Sequence, residues 1–320
     1  MKMLLPRSTA DVNGDEILAI APSAELIVVE EDATVTGDPA GVEIIFWGAD
    51  IGGGRRALRM IESWNDPALR WVQGPNAGYD HDIWVDLVNR DDVIFTRAAN
   101  IWTEPMAQYV TAWMLAWAQG LGGQWLRSQH HEWNQVQPDD LSGRTVGIVG
   151  YGGIGAAVAR IASAIGMRVL ASRRSPGPAE NVDELFTPDR LHEVLRASDY
   201  VVLCCPLTAE TTDLIGAAEF EAMGSGTVLI NVARGEIVNE SALADALTSG
   251  TIRGATLDVT REEPLPTDSP LWDLPNIVIT PHQSGEGPRS QERLDALFLE
   301  NLRRYVVGDE MKNIITPALL

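Results

Sequence analysis

The stretch Arg144-Thr145-Val146-Gly147-Ile148-Val149-Gly150-Tyr151-Gly152-Gly153-Ile154-Gly155 limits what this chain can fold into more than any other. Thr145 to Val149 is a short apolar run of strand character. It leads straight into the glycine turn, and a small-residue helix is predicted from Ala156 to Ile165. Gly150 permits a tight turn, Gly152 lets the main chain come close to a ligand, and Gly155 lets the helix pack on the strand. Backbone N–H groups at such a helix start, around Gly153 and Ile154, suit a pyrophosphate. With a strand before it and a helix after it, the triplet implies the dinucleotide-binding turn of a doubly wound α/β domain.

The next predicted strand, Met167 to Ala171, ends in Ser172-Arg173-Arg174. An NAD site normally places an acidic residue about 20 positions beyond the glycines, where it accepts hydrogen bonds from the ribose hydroxyls. Here no carboxylate occurs between Gly155 and Glu180. Two guanidiniums stand there instead, suited to forked, charge-assisted bonds with a 2′-phosphate. NADP(H) is the expected cofactor, with NAD a possible substitute.

With 320 residues, 45% of them hydrophobic, the chain has room for two domains with their own cores. The net charge of −21 disfavours nucleic acid and anionic membrane surfaces as partners. The N-terminal apolar run, Met3 to Leu5, is too short for a signal peptide, so a cytoplasmic location is expected. The longest apolar stretch, Met106 to Leu126, contains glutamines and is interrupted by Gly120, Gly122 and Gly123, which fits a buried helix and not a membrane span. Its Trp113, Trp117 and Trp125 suit either core packing or a subunit interface. The adjacent Cys204 and Cys205 imply a reducing compartment, with neither a disulfide framework nor a metal site.

In the first hundred residues, short apolar runs at Met3–Leu5, Leu26–Val29, Val42–Trp47, Arg70–Val72 and Val93–Thr96 alternate with amphipathic segments at Asp15–Ile20, Arg55–Trp64 and His81–Asn89. This alternation predicts a parallel sheet covered by helices. Asn76-Ala77-Gly78-Tyr79-Asp80 follows one of these strands at its carboxyl end, where backbone amides can hold a small anion or simply form a turn. Alternation resumes after Ala171, with strands predicted at Tyr200–Cys204, Thr227–Val232, Ala255–Val259 and Ile277–Thr280. A last helical segment, Gly287 to Val307, is long enough to return to the first domain.

Three of these strand ends carry chemistry. Arg234 follows the strand Thr227–Val232, Glu263 lies beyond Asp258 and the strand Ala255–Val259, and His282 follows the strand Ile277–Thr280. In a parallel sheet all three ends lie on the rim of the glycine turn. A guanidinium can hold a carboxylate or carbonyl oxygen, an imidazole can donate the proton that accompanies hydride transfer, and a carboxylate can orient that imidazole. Together they imply reduction of a 2-keto acid.

These segments resemble the D-isomer-specific 2-hydroxyacid dehydrogenases over nearly the whole chain. The resemblance rests on Gly147 to Gly155, Cys205-Pro206-Leu207-Thr208-Ala209-Glu210-Thr211, Ile230-Asn231-Val232-Ala233-Arg234-Gly235, Leu257-Asp258-Val259 with Glu263-Pro264-Leu265, and Thr280-Pro281-His282. It implies that Arg234 binds substrate, that His282 is the acid/base and lies beside the cofactor, and that Glu263 is its partner. It further implies that Asp258 contacts the nicotinamide amide, that Cys205, Pro206, Thr211, Val232 and Ala233 line the cofactor, and that Ala77, Gly78 and Tyr79 hold the substrate carboxylate. By the same resemblance the fold comprises two doubly wound parallel-sheet domains. A flavodoxin-like substrate domain spans 1–100, completed by 287–320, and a Rossmann NADP-binding domain spans 101–286. A homodimer through the nucleotide domain is expected, with a small 2-keto acid or D-2-hydroxy acid as the ligand and no metal. Ser172-Arg173-Arg174 is similar to the NADP-dependent glyoxylate and hydroxypyruvate reductases, and glutamate at 263 disfavours formate oxidation. The alternative is a dinucleotide-sensing, co-repressor-like protein on the same fold.

Overall fold

The computed structural model describes residues 1–48, 51, 55–78, 87–135, 137–175, 177–287 and 289–316. The chain divides into two compact units, Met1–Trp102 with Gly287–Leu320, and Thr103–Glu286.

The first unit opens with β1 (Lys2–Pro6), α1 (Arg7–Ile20), β2 (Glu25–Val29), β3 (Val35–Thr36), β4 (Ile44–Phe46), α2 (Arg55–Glu62), β5 (Trp71–Gln73) and β6 (Ile94–Thr96). Its parallel strands run in the order β2-β1-β4-β5-β6, which is the flavodoxin-like arrangement. Met3, Leu4 and Leu5 of β1 are all fully buried, as expected for a central strand covered on both faces. Of the helix expected over His81–Asn89, residues 81–86 lie outside the described residues, as does Tyr79.

The second unit contains α3 (Thr103–Gln119), α4 (Leu121–Gln129), β7 (Thr145–Val149), α5 (Gly153–Ala164), β8 (Arg168–Ser172), β9 (Glu184–Phe186), α6 (Leu191–Arg196), β10 (Tyr200–Leu203), α7 (Ala217–Met223), β11 (Val228–Asn231), α8 (Glu240–Ser249), β12 (Gly254–Leu257) and β13 (Ile277–Ile279). The strands pair in the order β13-β12-β11-β10-β7-β8-β9, and every pair is parallel. From β7 the chain proceeds outward one way to β8 and β9, and from β10 the other way to β11, β12 and β13. The carboxyl ends of β7 and β10 therefore flank the switch point, where ligands bind in such sheets.

The long apolar stretch forms two helices, because Gly120 adopts a left-handed conformation (φ 62°) and ends the first. α3 buries Ala107, Val110, Met114 and Ala118 at three- and four-residue spacing, and Trp117 Nε1 donates to Thr256 Oγ1 at 2.9 Å. That settles Trp117 as part of this unit's own packing. α4 buries none of its residues.

The chain then returns to the first unit through α9 (Ser290–Val307) and β14 (Ile314–Ile315). Leu294, Phe298 and Leu302 line the inner face of α9, and Phe298 stacks on Phe46 with ring centroids 4.3 Å apart. β14 joins β6 in antiparallel fashion, as β3 joins β2. The parallel sheet that the alternation predicts is present, and at each edge it is extended by an antiparallel strand of two residues, too short to leave a sequence pattern.

Among the described residues no helix is long and apolar enough to cross a membrane.

Candidate active site

The glycine turn follows β7 at the switch point. Gly150 has φ 103°, and its N–H and that of Tyr151 both donate to Ser172 O at 3.0 Å. A Cβ on Gly150 would lie 2.5 Å from Cys205 N, and one on Gly155 would lie 2.4 Å from Gly150 O. Both positions must be glycine for the strand, the helix and the segment after β10 to approach this closely. Gly152, by contrast, would point a Cβ into open space, and no side chain caps α5 there. An uncapped helix start with open space beside it is what a pyrophosphate requires. Gly153 and Ile154 form the first turn of that helix.

At the end of β8, Ser172 is buried, Arg173 is partly exposed and Arg174 is exposed. The Arg173 guanidinium lies over the Tyr151 ring, 5.7 Å from its centroid. After β10, Cys204 Sγ donates to Gly150 O at 3.0 Å. Burial pushes both thiols up, Cys205 to about 11, so neither is a thiolate at neutral pH. Pro206 to Thr211 forms a closed loop, in which Thr211 Oγ1 donates to Pro206 O at 2.8 Å and accepts from Thr208 N at 2.7 Å.

The three polar strand ends lie side by side because β11, β12 and β13 are neighbours. After β11, the fully buried Asn231 shapes the corner: its Nδ2 donates to Arg234 O at 2.9 Å, and its Oδ1 accepts from Ala233 N at 3.0 Å. Val232 and Ala233 are buried beneath it. A Cβ on Gly235 would fall 2.0 Å from Thr260 C, so the Arg234 corner is pressed against the main chain that follows β12. Thr260 N–H in turn donates to Glu263 Oε1 at 3.2 Å, and Glu263 Oε2 lies 2.8 Å from His282 Nδ1. The structure thus links the corner holding Arg234 to Glu263 and His282 through successive short contacts. With the hydrogen on Nδ1 donated to Glu263, Nε2 is the nitrogen left to exchange a proton.

His282 has φ 50°, a conformation uncommon for a residue with a side chain. Asp258 imposes it. Its carbonyl accepts His282 N–H at 2.8 Å, and its buried carboxylate accepts from Thr280 Oγ1 at 2.6 Å, Gln283 N at 2.9 Å and Ser284 N at 2.8 Å. Tyr109, from α3, hydrogen-bonds Thr280 from behind. Asp258 therefore holds the His282 loop, a role that sequence reasoning did not assign. Tyr109, Asn231 and Thr260 were also missed as supports. The only available signal was a polar residue closing an apolar strand, as Asn231 closes Val228–Asn231. A cavity of about 570 Å³ opens beside the pair, lined by Asp258, Glu263, Leu265, Trp272, Pro281 and His282 among others.

In the first unit, the loop carrying Ala77 and Gly78 follows β5. It is pinned by Ala98 N–H to Asn76 O at 2.8 Å and Arg97 Nη1 to Ala77 O at 3.2 Å. Among the described residues no group of three or more His, Cys, Asp or Glu side chains is arranged to hold a metal.

Residues 111–284 match the family described as D-isomer specific 2-hydroxyacid dehydrogenase, NAD binding domain. A glyoxylate/hydroxypyruvate reductase B of Pectobacterium carotovorum is 37% identical over 264 residues, covering 79% of this chain and 81% of that protein. Among solved structures, a D-isomer specific 2-hydroxyacid dehydrogenase of Xanthobacter autotrophicus in complex with NADPH and MES superposes with a TM-score of 0.78. It is 31% identical, over 99% of this chain and 98% of that one. An NADPH-dependent glyoxylate/hydroxypyruvate reductase of Sinorhizobium meliloti, in complex with NADP and sulfate, gives a TM-score of 0.79 at 25% identity over 99% of both chains. The glycine turn at the switch point, the paired His282 and Glu263 and these likenesses agree: the chain belongs to the D-isomer specific 2-hydroxyacid dehydrogenase family.

Proposed function

We propose that this protein reduces a small 2-keto acid, of the glyoxylate or hydroxypyruvate type, to the D-2-hydroxy acid with NADPH. The observation that carries it is the 2.8 Å pairing of His282 with Glu263 at the carboxyl ends of the same parallel sheet whose β7 leads into an uncapped, glycine-lined helix start. The residues present fit the dinucleotide: Gly152 to Gly155 suit the pyrophosphate, Arg173 and Arg174 the 2′-phosphate, and Val232, Ala233 and Pro206 to Thr211 line the way to the nicotinamide. When bound, NADPH supplies the hydride. Arg234 holds the keto acid as a forked donor and polarises its carbonyl. His282 Nε2 gives its proton to the carbonyl oxygen as that oxygen gains charge. Glu263, its Oε1 fixed by Thr260, keeps the imidazole in the required tautomer and faces the charge that arises on it in the reverse direction. By the family resemblance, Ala77, Gly78 and Tyr79 are the group expected to hold the substrate carboxylate.

The test is turnover of glyoxylate, hydroxypyruvate, pyruvate and a branched keto acid with NADPH and, in parallel, NADH. Turnover of the small acids favouring NADPH supports the assignment, and silence across the panel overturns it. Replacing Arg173 and Arg174 together by alanine lowers kcat/KM for NADPH about 100-fold, the scale of lost charge-assisted hydrogen bonds. The NADH value falls much less. Equal loss with both cofactors contradicts the role given to the pair.

The protein works as a homodimer in a reducing, cytoplasmic compartment. The free thiols of Cys204 and Cys205 suit that compartment. Leu115, Leu121, Trp125 and Leu126 on α3 and α4 are exposed, and Trp133 just beyond is 95% exposed. So many large apolar side chains exposed along one stretch of chain are unusual for a monomer, and a second copy of this chain covers them. Changing Leu121 and Trp125 to glutamate is expected to halve the mass measured by light scattering. A wild-type protein that is already monomeric contradicts the dimer.

A further inference from the structure

We propose that Tyr151 is a positioning residue for cofactor choice: its ring holds the Arg173 guanidinium ready for the 2′-phosphate of NADPH. The inference rests on the NADPH assignment above and goes further, naming which arginine grips the phosphate and what presents it.

Tyr151 is fixed at both ends. Its N–H donates to Ser172 O at 3.0 Å, and its hydroxyl donates to Glu180 O at 2.7 Å. It therefore spans the base of the turn that follows β8, the place where this fold recognises the adenosine ribose. Arg173 lies over its ring at 5.7 Å, within the range of a cation–π contact. On the same turn, Gly177 leaves room for the guanidinium, because a Cβ there would fall 2.5 Å from Arg173 Nη2. Arg173 Nε is buried and has no hydrogen-bond partner among the described residues. A buried donor left unsatisfied is costly, and an anion at this turn would satisfy it. Arg174 is placed differently: it is exposed and lies within electrostatic reach of Glu210, which competes for its charge. Arg173 is therefore the primary grip and Arg174 the outer one.

The aromatic platform matters because a free arginine loses rotamer freedom when it closes on a ligand. A guanidinium already restrained on a ring loses less, and the saving applies only to a cofactor that carries the 2′-phosphate. NADH gains nothing from it. Tyr151 thus acts on the preference between the two cofactors.

The experiment measures the ratio of kcat/KM for NADPH to that for NADH in the wild type, Tyr151→Ala and Tyr151→Phe. The binding of adenosine 2′,5′-bisphosphate against AMP is measured by calorimetry on the same proteins. In Tyr151→Ala both ratios are expected to fall about tenfold, equivalent to about 1.4 kcal/mol. Tyr151→Phe keeps the ring and is expected to hold both within about threefold of wild type. Unchanged ratios in Tyr151→Ala, or a fall in Tyr151→Phe as large as in Tyr151→Ala, overturn the platform while leaving the NADPH assignment standing. A wild-type ratio that does not favour NADPH overturns that assignment and the platform with it.

Discussion

Replacing His282 by alanine lowers kcat for keto-acid reduction by about 1,000-fold and leaves NADPH binding close to wild type. The magnitude is that of a positioned general acid. The separation of effects follows from the site: His282 projects from the loop after β13, whereas the glycine turn and Arg173 lie at β7 and β8. Because His282 sits at φ 50°, alanine there also strains the loop. His282→Asn is the better companion variant, since asparagine tolerates the left-handed region and cannot serve as an acid near neutral pH. Both variants lose turnover if the imidazole is the proton donor. Asparagine retaining wild-type turnover would show that the loop conformation, not the imidazole, is what the reaction needs. Pre-steady-state mixing with NADPH separates binding from chemistry in each.

Replacing Gly150 by alanine costs about 3 kcal/mol or more of stability and weakens NADPH binding at least 100-fold. Two penalties combine. The backbone φ of 103° is unfavourable for any residue with a Cβ, and that Cβ would meet Cys205 main chain at 2.5 Å. Neither β7 nor β10 can yield without breaking the pairing of Val149 with Leu203 at the centre of the sheet. Gly152→Ala is the informative contrast. Its Cβ meets nothing within 4 Å and its φ is −105°, so the fold is undisturbed. The methyl group nevertheless enters the space assigned to the pyrophosphate, and affinity for NADPH falls while the thermal midpoint holds. Wild-type affinity in Gly152→Ala contradicts the cradle, and wild-type stability in Gly150→Ala contradicts the packing argument. Thermal unfolding and a fluorescence titration with NADPH decide both.

Much of this architecture was legible because its central strands are continuous apolar runs. Thr145–Val149 was predicted at the bounds the structure gives, and the strands leading to Arg234, Glu263 and His282 were placed within two residues. Their order along one rim follows from parallel topology alone. What was not legible depends on contacts between distant segments. The edge strands β3, β9 and β14 have two or three residues each and exist only because a neighbour supplies the hydrogen bonds. α7 passed unnoticed between two strong strands, its seven residues being too few to show a period. Within the site, residue types pointed to Arg234, Glu263 and His282, but their supports were invisible. Nothing local says that Asp258 will spend its carboxylate on the His282 loop, or that Tyr109, far back in the chain, will brace Thr280. The stacking of Arg173 on Tyr151 is equally non-local, since 22 positions separate them.

The most direct test of the central claim is a stoichiometric one. Purified protein is mixed with NADPH and hydroxypyruvate, the loss of nicotinamide absorbance is followed to its end, and the glycerate formed is resolved into enantiomers. The account predicts one D-glycerate for each NADPH oxidised. NADPH that binds and stays reduced, or glycerate of the L configuration, would contradict it.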